Sequence, residues 1–132
     1  MRILIAEDDF SSRSILLRML SDLGECEIAM DGEETYKAYQ ENFGTSKAYN
    51  LLCLDIVMPK IDGQQVLNKI RTFEKEKRVD PNSSLKVIMT TALSDSETVI
   101  DSFKNGCEGY IVKPISKKQL LSEISRLGFE IY

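Results

Sequence analysis

Five short runs rich in apolar residues, Ile3 to Ala6, Cys26 to Ala29, Leu51 to Leu54, Val87 to Met89 and Tyr110 to Val112, recur along the chain with helix-patterned sequence between them. Runs of this length read as buried strands. The intervening stretches place apolar side chains at helical spacing: Ile15, Met19, Leu20 and Leu23; Tyr36, Tyr39 and Phe43; Val66, Leu67, Ile70 and Phe73; Val99, Ile100 and Phe103; Leu120, Leu121, Ile124 and Leu127. Strand then helix, five times over, is the pattern. A run such as Leu51 to Leu54, apolar on both sides of the pleat, suits a parallel sheet covered on both faces, and right-handed crossovers then leave few topologies.

The fold expected is α/β, a doubly wound (βα)5 flavodoxin-like sandwich with a parallel five-stranded sheet of order 2-1-3-4-5. The 132 residues are enough for one core, and no Pro-, Gly- or Ser-rich stretch divides them, so residues 1–132 are read as a single domain. Asn42 to Asn50 reads as a polar connector. Lys69 to Ser84, with its mixed charges and Asp80-Pro81-Asn82 turn, reads as a helix end and a solvated connection.

Charge and composition narrow the chemistry. Seventeen basic against 21 acidic residues leave a formal charge of −4, the wrong sign for gripping nucleic acid or an anionic membrane directly. There is no histidine, which removes imidazole catalysis and imidazole metal sites. Cys26, Cys53 and Cys107 are scattered and form no CxxC, so a disulfide frame or zinc site is not expected and a reducing compartment is. No apolar run approaches the roughly 18 residues of a membrane span. The expectation is a cytoplasmic protein without membrane insertion.

Ligands of open α/β sheets settle beyond the carboxyl ends of the strands. Here the first strand runs into Glu7, Asp8 and Asp9, the third into Asp55, the fourth into Thr90 and Thr91, and the fifth into Lys113-Pro114. Singly, each has an ordinary explanation. Asp9 or Ser11 serves as a helix cap, Thr91 as a strand-end hydroxyl, and Lys113 as a surface amine. Asp55 is different, because an ionised side chain within an apolar stretch is costly unless paired or metal-bound. With order 2-1-3-4-5, strands one, three, four and five are neighbours and the candidates converge. Glu7, Asp8 and Asp55 would repel by roughly a few kcal/mol per pair at intermediate dielectric, so a cation must offset them. Hard oxygen ligands argue for Mg²⁺, with Mn²⁺ as the other option.

Four motifs then stand in order: Ile3-Leu4-Ile5-Ala6-Glu7-Asp8-Asp9; Leu54-Asp55-Ile56-Val57-Met58-Pro59 with Asp62-Gly63; Thr91-Ala92; and Gly109-Tyr110-Ile111-Val112-Lys113-Pro114. Over essentially its whole length the chain resembles the receiver domain of bacterial two-component response regulators, chemotaxis regulators among them. The resemblance implies that Asp55 is the phosphoacceptor, that Glu7 and Asp8 are the acidic pair, and that the Val57 backbone carbonyl completes the Mg²⁺ shell. Asp9 is of second rank. It implies a cis Lys113-Pro114 bond, which proline permits, and a Lys113 ammonium aimed at the phosphoryl group. It further implies that Thr91 and Tyr110 shift together on phosphorylation and alter the surface of the fourth helix, fifth strand and fifth helix.

On this reading the partners are a sensor histidine kinase or histidine phosphotransfer protein, which supplies the missing imidazole, and a downstream effector protein. Whether phosphorylation also drives dimerisation stays open. The chain is expected to be a switch or phosphorelay carrier rather than an enzyme, with no output domain in these 132 residues. Two other readings use similar parts. A haloacid-dehalogenase-like phosphatase also needs an Asp nucleophile, Thr, Lys and Mg²⁺, but its second Asp falls on Val57 here. A flavodoxin-like binding module that is never phosphorylated would want a Ser-, Thr- and Gly-rich loop after the first strand, and this loop is acidic. Val57 and Leu93, two positions past Asp55 and Thr91, are apolar where fast self-dephosphorylating members carry polar side chains. A long-lived aspartyl phosphate follows, since neither can orient water.

Overall fold

The computed structural model describes residues 1–131. Strands β1 (Arg2–Ala6), β2 (Glu25–Ala29), β3 (Leu51–Leu54), β4 (Lys86–Thr91) and β5 (Gly109–Val112) alternate with helices α1 (Phe10–Leu20), α2 (Gly32–Asn42), α3 (Gly63–Glu76), α4 (Ser96–Lys104) and α5 (Lys117–Arg126). All strand pairings are parallel and the order is β2-β1-β3-β4-β5. This is the expected sheet. No helix among the described residues is long and apolar enough to cross a membrane.

The two-residue period of each strand divides the core into two layers. Ile3, Ile5, Leu51, Cys53, Ile88 and Ile111 pack against Leu16 and Leu20 of α1 and Leu120 and Ile124 of α5. Their neighbours Leu4, Ala6, Leu52, Leu54, Val87 and Met89 face Tyr39 of α2 and Val66, Leu67 and Ile70 of α3. The continuous apolar runs are therefore the signature of a sheet buried on both sides.

Helix starts are fixed by side chains accepting from backbone N–H groups. Asp9, Asp31, Asp62, Asp95 and Ser116 each cap one helix, and Asp62 forms a reciprocal capping box with Gln65. Gly63 opens α3 so close to the third strand that a Cβ there would sit 2.3 Å from the Asp55 carbonyl oxygen. Only glycine fits, and α3 consequently abuts the segment that follows Asp55.

Two expectations are corrected. Ile15 of α1 and Ile100 and Phe103 of α4 lie on the helical faces read from the sequence, yet all three are exposed. The one buried residue of α4 is Ser102, which donates to Thr98 O and accepts from Gln64 of α3, so polar bonds rather than an apolar stripe seat this helix. The stretch from Lys69 to Ser84 is also not a simple solvated face. Arg71 Nη1 donates to Glu74 Oε1 at 2.7 Å, and Nη2 donates to Gly106 O and Glu108 Oε1, both at 2.8 Å. The two carboxylates in turn accept from the backbone N–H groups of Leu85 (2.8 Å) and Val87 (2.7 Å). One guanidinium thus ties α3, the α4–β5 connection and the start of β4, and Glu74 is buried.

Candidate functional site

Four chain segments deliver the candidate side chains to the carboxyl edge of the sheet. Glu7 N–H donates to Ala29 O, Asp55 N–H to Ala6 O and Lys113 N–H to Thr91 O, so each residue continues its strand's pairing by one step. The side chains inherit fixed directions from that register. Lys113 Nζ donates to Glu7 Oε1 and, at 3.0 Å, to Asp55 Oδ2. The Lys113-Pro114 bond is cis.

Burial sharpens the electrostatics. Glu7 is fully buried and Asp55 nearly so, whereas Asp8 is exposed at the rim. Burial, with the nearby Asp55 carboxylate adding to it, pushes the Glu7 carboxyl up to about 7 against the opposing pull of Lys113. For Lys113, burial works against the charged ammonium, but the Glu7 and Asp55 hydrogen bonds outweigh it and the pKa ends above its ordinary value. Lys113 is thus held as a cation between two acids.

One oxygen from each of Glu7, Asp8 and Asp55 lies within 4.8 Å of the other two. That donor set is all carboxylate, with no sulfur or imidazole, and it fits a hard divalent cation of the Mg²⁺ or Mn²⁺ type that retains water ligands. Val57 stands at the same rim. Its N–H donates to Asp55 Oδ1 at 3.3 Å, and the residue is 62% exposed.

Asp9 turns to another task. Its Oδ2 accepts from Ser12 N–H at 2.9 Å, capping α1, and that bond is the leading cause of its lowered pKa. Arg13 Nη1 donates to the backbone carbonyls of Glu7 and Asp8, both at 3.3 Å, so the acidic loop is braced from α1. Sequence reasoning missed this brace, because Arg13 reads as one more exposed helix cation.

Thr91 and Tyr110 are linked to each other rather than to the acids. Thr91 is fully buried and its Oγ1 accepts from Leu93 N–H at 3.4 Å, while the Tyr110 hydroxyl donates to Leu93 O at 2.6 Å. Glu7, Asp8, Asp55 and Lys113 therefore form one cluster, and Thr91 and Tyr110 form a second grouping around Leu93, at the start of the β4–α4 connection.

A model of the response regulator receiver domain matches residues 3–125. "Probable transcriptional regulator ycf27" of Cyanophora paradoxa is 38% identical over 127 residues, covering 96% of this chain and 47% of that protein. "Transcriptional regulatory protein RprY" of Bacteroides fragilis is 31% identical over 128 residues, covering 96% of this chain and 49% of that protein. The chain spans about half the length of these curated relatives. Among solved structures, the CheX-CheY-BeF3-Mg+2 complex from Borrelia burgdorferi aligns with a TM-score of 0.83 and 26% identity, over 98% of this chain and 90% of that one.

Proposed function

The chain belongs to the family of response regulator receiver domains of two-component systems, and on that premise we propose that it is a phosphoryl-accepting switch with Asp55 as the acceptor. The observation that carries this reading is the single amine shared by two buried acids: Lys113 donates to Asp55 and Glu7 in a cluster that Asp8 completes.

The Asp55 carboxylate attacks the phosphorus of a partner's phosphohistidine, in line with the departing imidazole nitrogen. Lys113 stays protonated and follows the negative charge onto the transferred oxygens. Glu7, Asp8, Asp55 and the Val57 backbone carbonyl would hold Mg²⁺, which when bound supplies charge neutralisation at the phosphoryl oxygens. Phosphorylation adds negative charge and acceptor oxygens at Asp55. The Thr91 hydroxyl turns toward them, releasing Leu93 N–H, and the same segment carries the Leu93 carbonyl that holds Tyr110. A change at Asp55 thereby reaches the exposed side chains Ile100, Phe103 and Val112 on α4 and β5. An effector protein reads that surface, in the cytoplasm, without direct contact between this domain and nucleic acid. To carry occupancy of the active state from 1:99 to 99:1, the phosphoryl group must favour it by roughly 5.5 kcal/mol.

Intact-protein mass spectrometry after incubation with acetyl phosphate and Mg²⁺ tests the assignment. One added phosphoryl group is expected in the wild type and none in Asp55→Asn. An equal mass gain in the variant overturns it. Repeated turnover of phosphomonoesters would instead favour a phosphatase.

A further inference from the structure

Of the three acids in the cluster, Asp8 is the one whose carboxylate no other group holds. Lys113 donates to Glu7 Oε1 and Asp55 Oδ2, Asp9 N–H donates to Glu7 Oε2 at 3.3 Å, and Val57 N–H donates to Asp55 Oδ1. The Asp8 carboxylate is exposed and, among the described residues, enters no hydrogen bond or ion pair. One of its oxygens nevertheless lies within 4.8 Å of those of Glu7 and Asp55. That placement is set by the Asp8 backbone.

The backbone in question has left the sheet. β1 ends at Ala6 and α1 begins at Phe10, and no backbone N–H among the described residues reaches the carbonyl of Glu7 or of Asp8. Arg13 takes both, its Nη1 donating to each at 3.3 Å. The guanidinium is itself seated against a ring, 5.5 Å from the Phe10 centroid. Charge alone gives no reason for a cation here. Arg13 is the fourth residue of α1, near the end where the helix dipole disfavours positive charge, and it stands beside acids suited to binding another cation. What its N–H groups hold explains the position, and its charge does not.

We propose that Arg13 is a positioning residue for the divalent-cation site: by holding the Glu7 and Asp8 peptides, it keeps the Asp8 carboxylate within reach of an ion shared with Glu7 and Asp55. This rests on those three acids holding the cation. Arg13 acts on the ion in two opposed ways. Its charge repels the ion, whereas its hydrogen bonds spare the ion the cost of fixing the Asp8 backbone. Fixing one residue's backbone is worth about tenfold in an equilibrium constant. Repulsion at a solvent-exposed rim is weakened by the high dielectric of water and by salt, so the brace outweighs it.

Mn²⁺ binding, followed by the electron paramagnetic resonance signal of the free ion, tests the proposal. It compares wild type, the two neutral variants Arg13→Met and Arg13→Gln, Asp8→Ala, and the double variant Asp8→Ala, Arg13→Met, each shown to be folded by its urea transition in EDTA. Both Arg13 variants are expected to bind Mn²⁺ about fivefold more weakly than wild type, the tenfold of one freed residue less the repulsion relieved. Arg13→Gln carries the comparison alone should Arg13→Met fail to fold. Because Arg13 acts through Asp8, adding Arg13→Met to Asp8→Ala is expected to weaken binding no further. Equal or tighter binding in the Arg13 variants overturns the proposal, because charge would then be the whole effect. So does a fivefold loss that persists in the Asp8→Ala background, which would place the action of Arg13 elsewhere. A wild type that binds no Mn²⁺, or binds it no better than Asp8→Ala, is a different failure, that of the cation site itself.

Discussion

Lys113 and Asp55, 58 positions apart in sequence, meet at 3.0 Å, and the same ammonium also holds the fully buried Glu7. Lys113→Met leaves two buried acids facing each other without a cation. Removing one partner of a buried ion pair costs about 3–5 kcal/mol, and the lower end is expected because Lys113 is part-exposed. Urea unfolding at neutral pH measures the loss. Millimolar Mg²⁺ is expected to restore part of it in the variant, by binding the folded acidic cluster.

With Asp55 as the proposed acceptor, the apolar pair Val57 and Leu93 would set how long a phosphoryl group persists. Val57 is exposed at the rim and Leu93 packs against the core, so neither side chain offers a polar group to an attacking water. A slow loss of phosphate is expected, with a half-life well beyond seconds in the absence of a phosphatase. The double variant Val57→Asn, Leu93→Gln is expected to shorten it by about tenfold or more. The decay of phosphorylated mass after removal of the donor gives both values.

Arg71 joins Glu74, Glu108 and Gly106. Arg71→Leu strands the buried Glu74 carboxylate and its part-buried companion Glu108, and a loss of about 3 kcal/mol in unfolding free energy is expected. Because these bonds lie at the opposite end of the strands from Asp55, phosphorylation by acetyl phosphate should proceed at the wild-type rate in whatever fraction is folded.

Acid sensitivity should arise partly at Glu27. Its carboxyl is held below the ordinary 4.5 by the Tyr49 hydroxyl, which donates to it, and by Arg2. A depressed carboxyl pKa contributes stability that is present above the unfolded value and is lost as pH falls through about 4.5 toward the folded value. Because the Glu27 side chain is 47% exposed, solvent screening limits the gain to roughly 1 kcal/mol or less. Urea midpoints from pH 6 to pH 3 should fall less steeply in Glu27→Gln than in the wild type.

What is legible in the sequence follows the range of the interactions. Strand positions are most readable where both sides are buried, as in β1, β3 and β4, so Leu51 to Leu54 carries its environment in its own composition. The convergence of Glu7, Asp55 and Lys113 is readable because all three end strands, and strand order sets their proximity. Asp9 shows both its acidity and its capping position, and in the folded chain it is the cap. The Arg71–Glu108 pair is not readable: 37 residues separate the two, and charges on a helix and a loop leave no periodic trace. Nor does helical spacing distinguish buried from exposed apolar residues in α4, where Ile100 and Phe103 keep the pattern of a core face and are open to solvent. Periodicity locates a stripe, and only the neighbouring elements decide whether it is covered.

Arg71 has a mechanical consequence. By clasping α3 to both the start of β4 and the approach to β5, it anchors the amino end of these strands, while the opposite rim carries the acids and the connection around Leu93. The switching proposed for that rim would act as a lever about a fixed pivot, so backbone amides near Leu85 and Val87 should exchange with solvent far more slowly than those around Leu93.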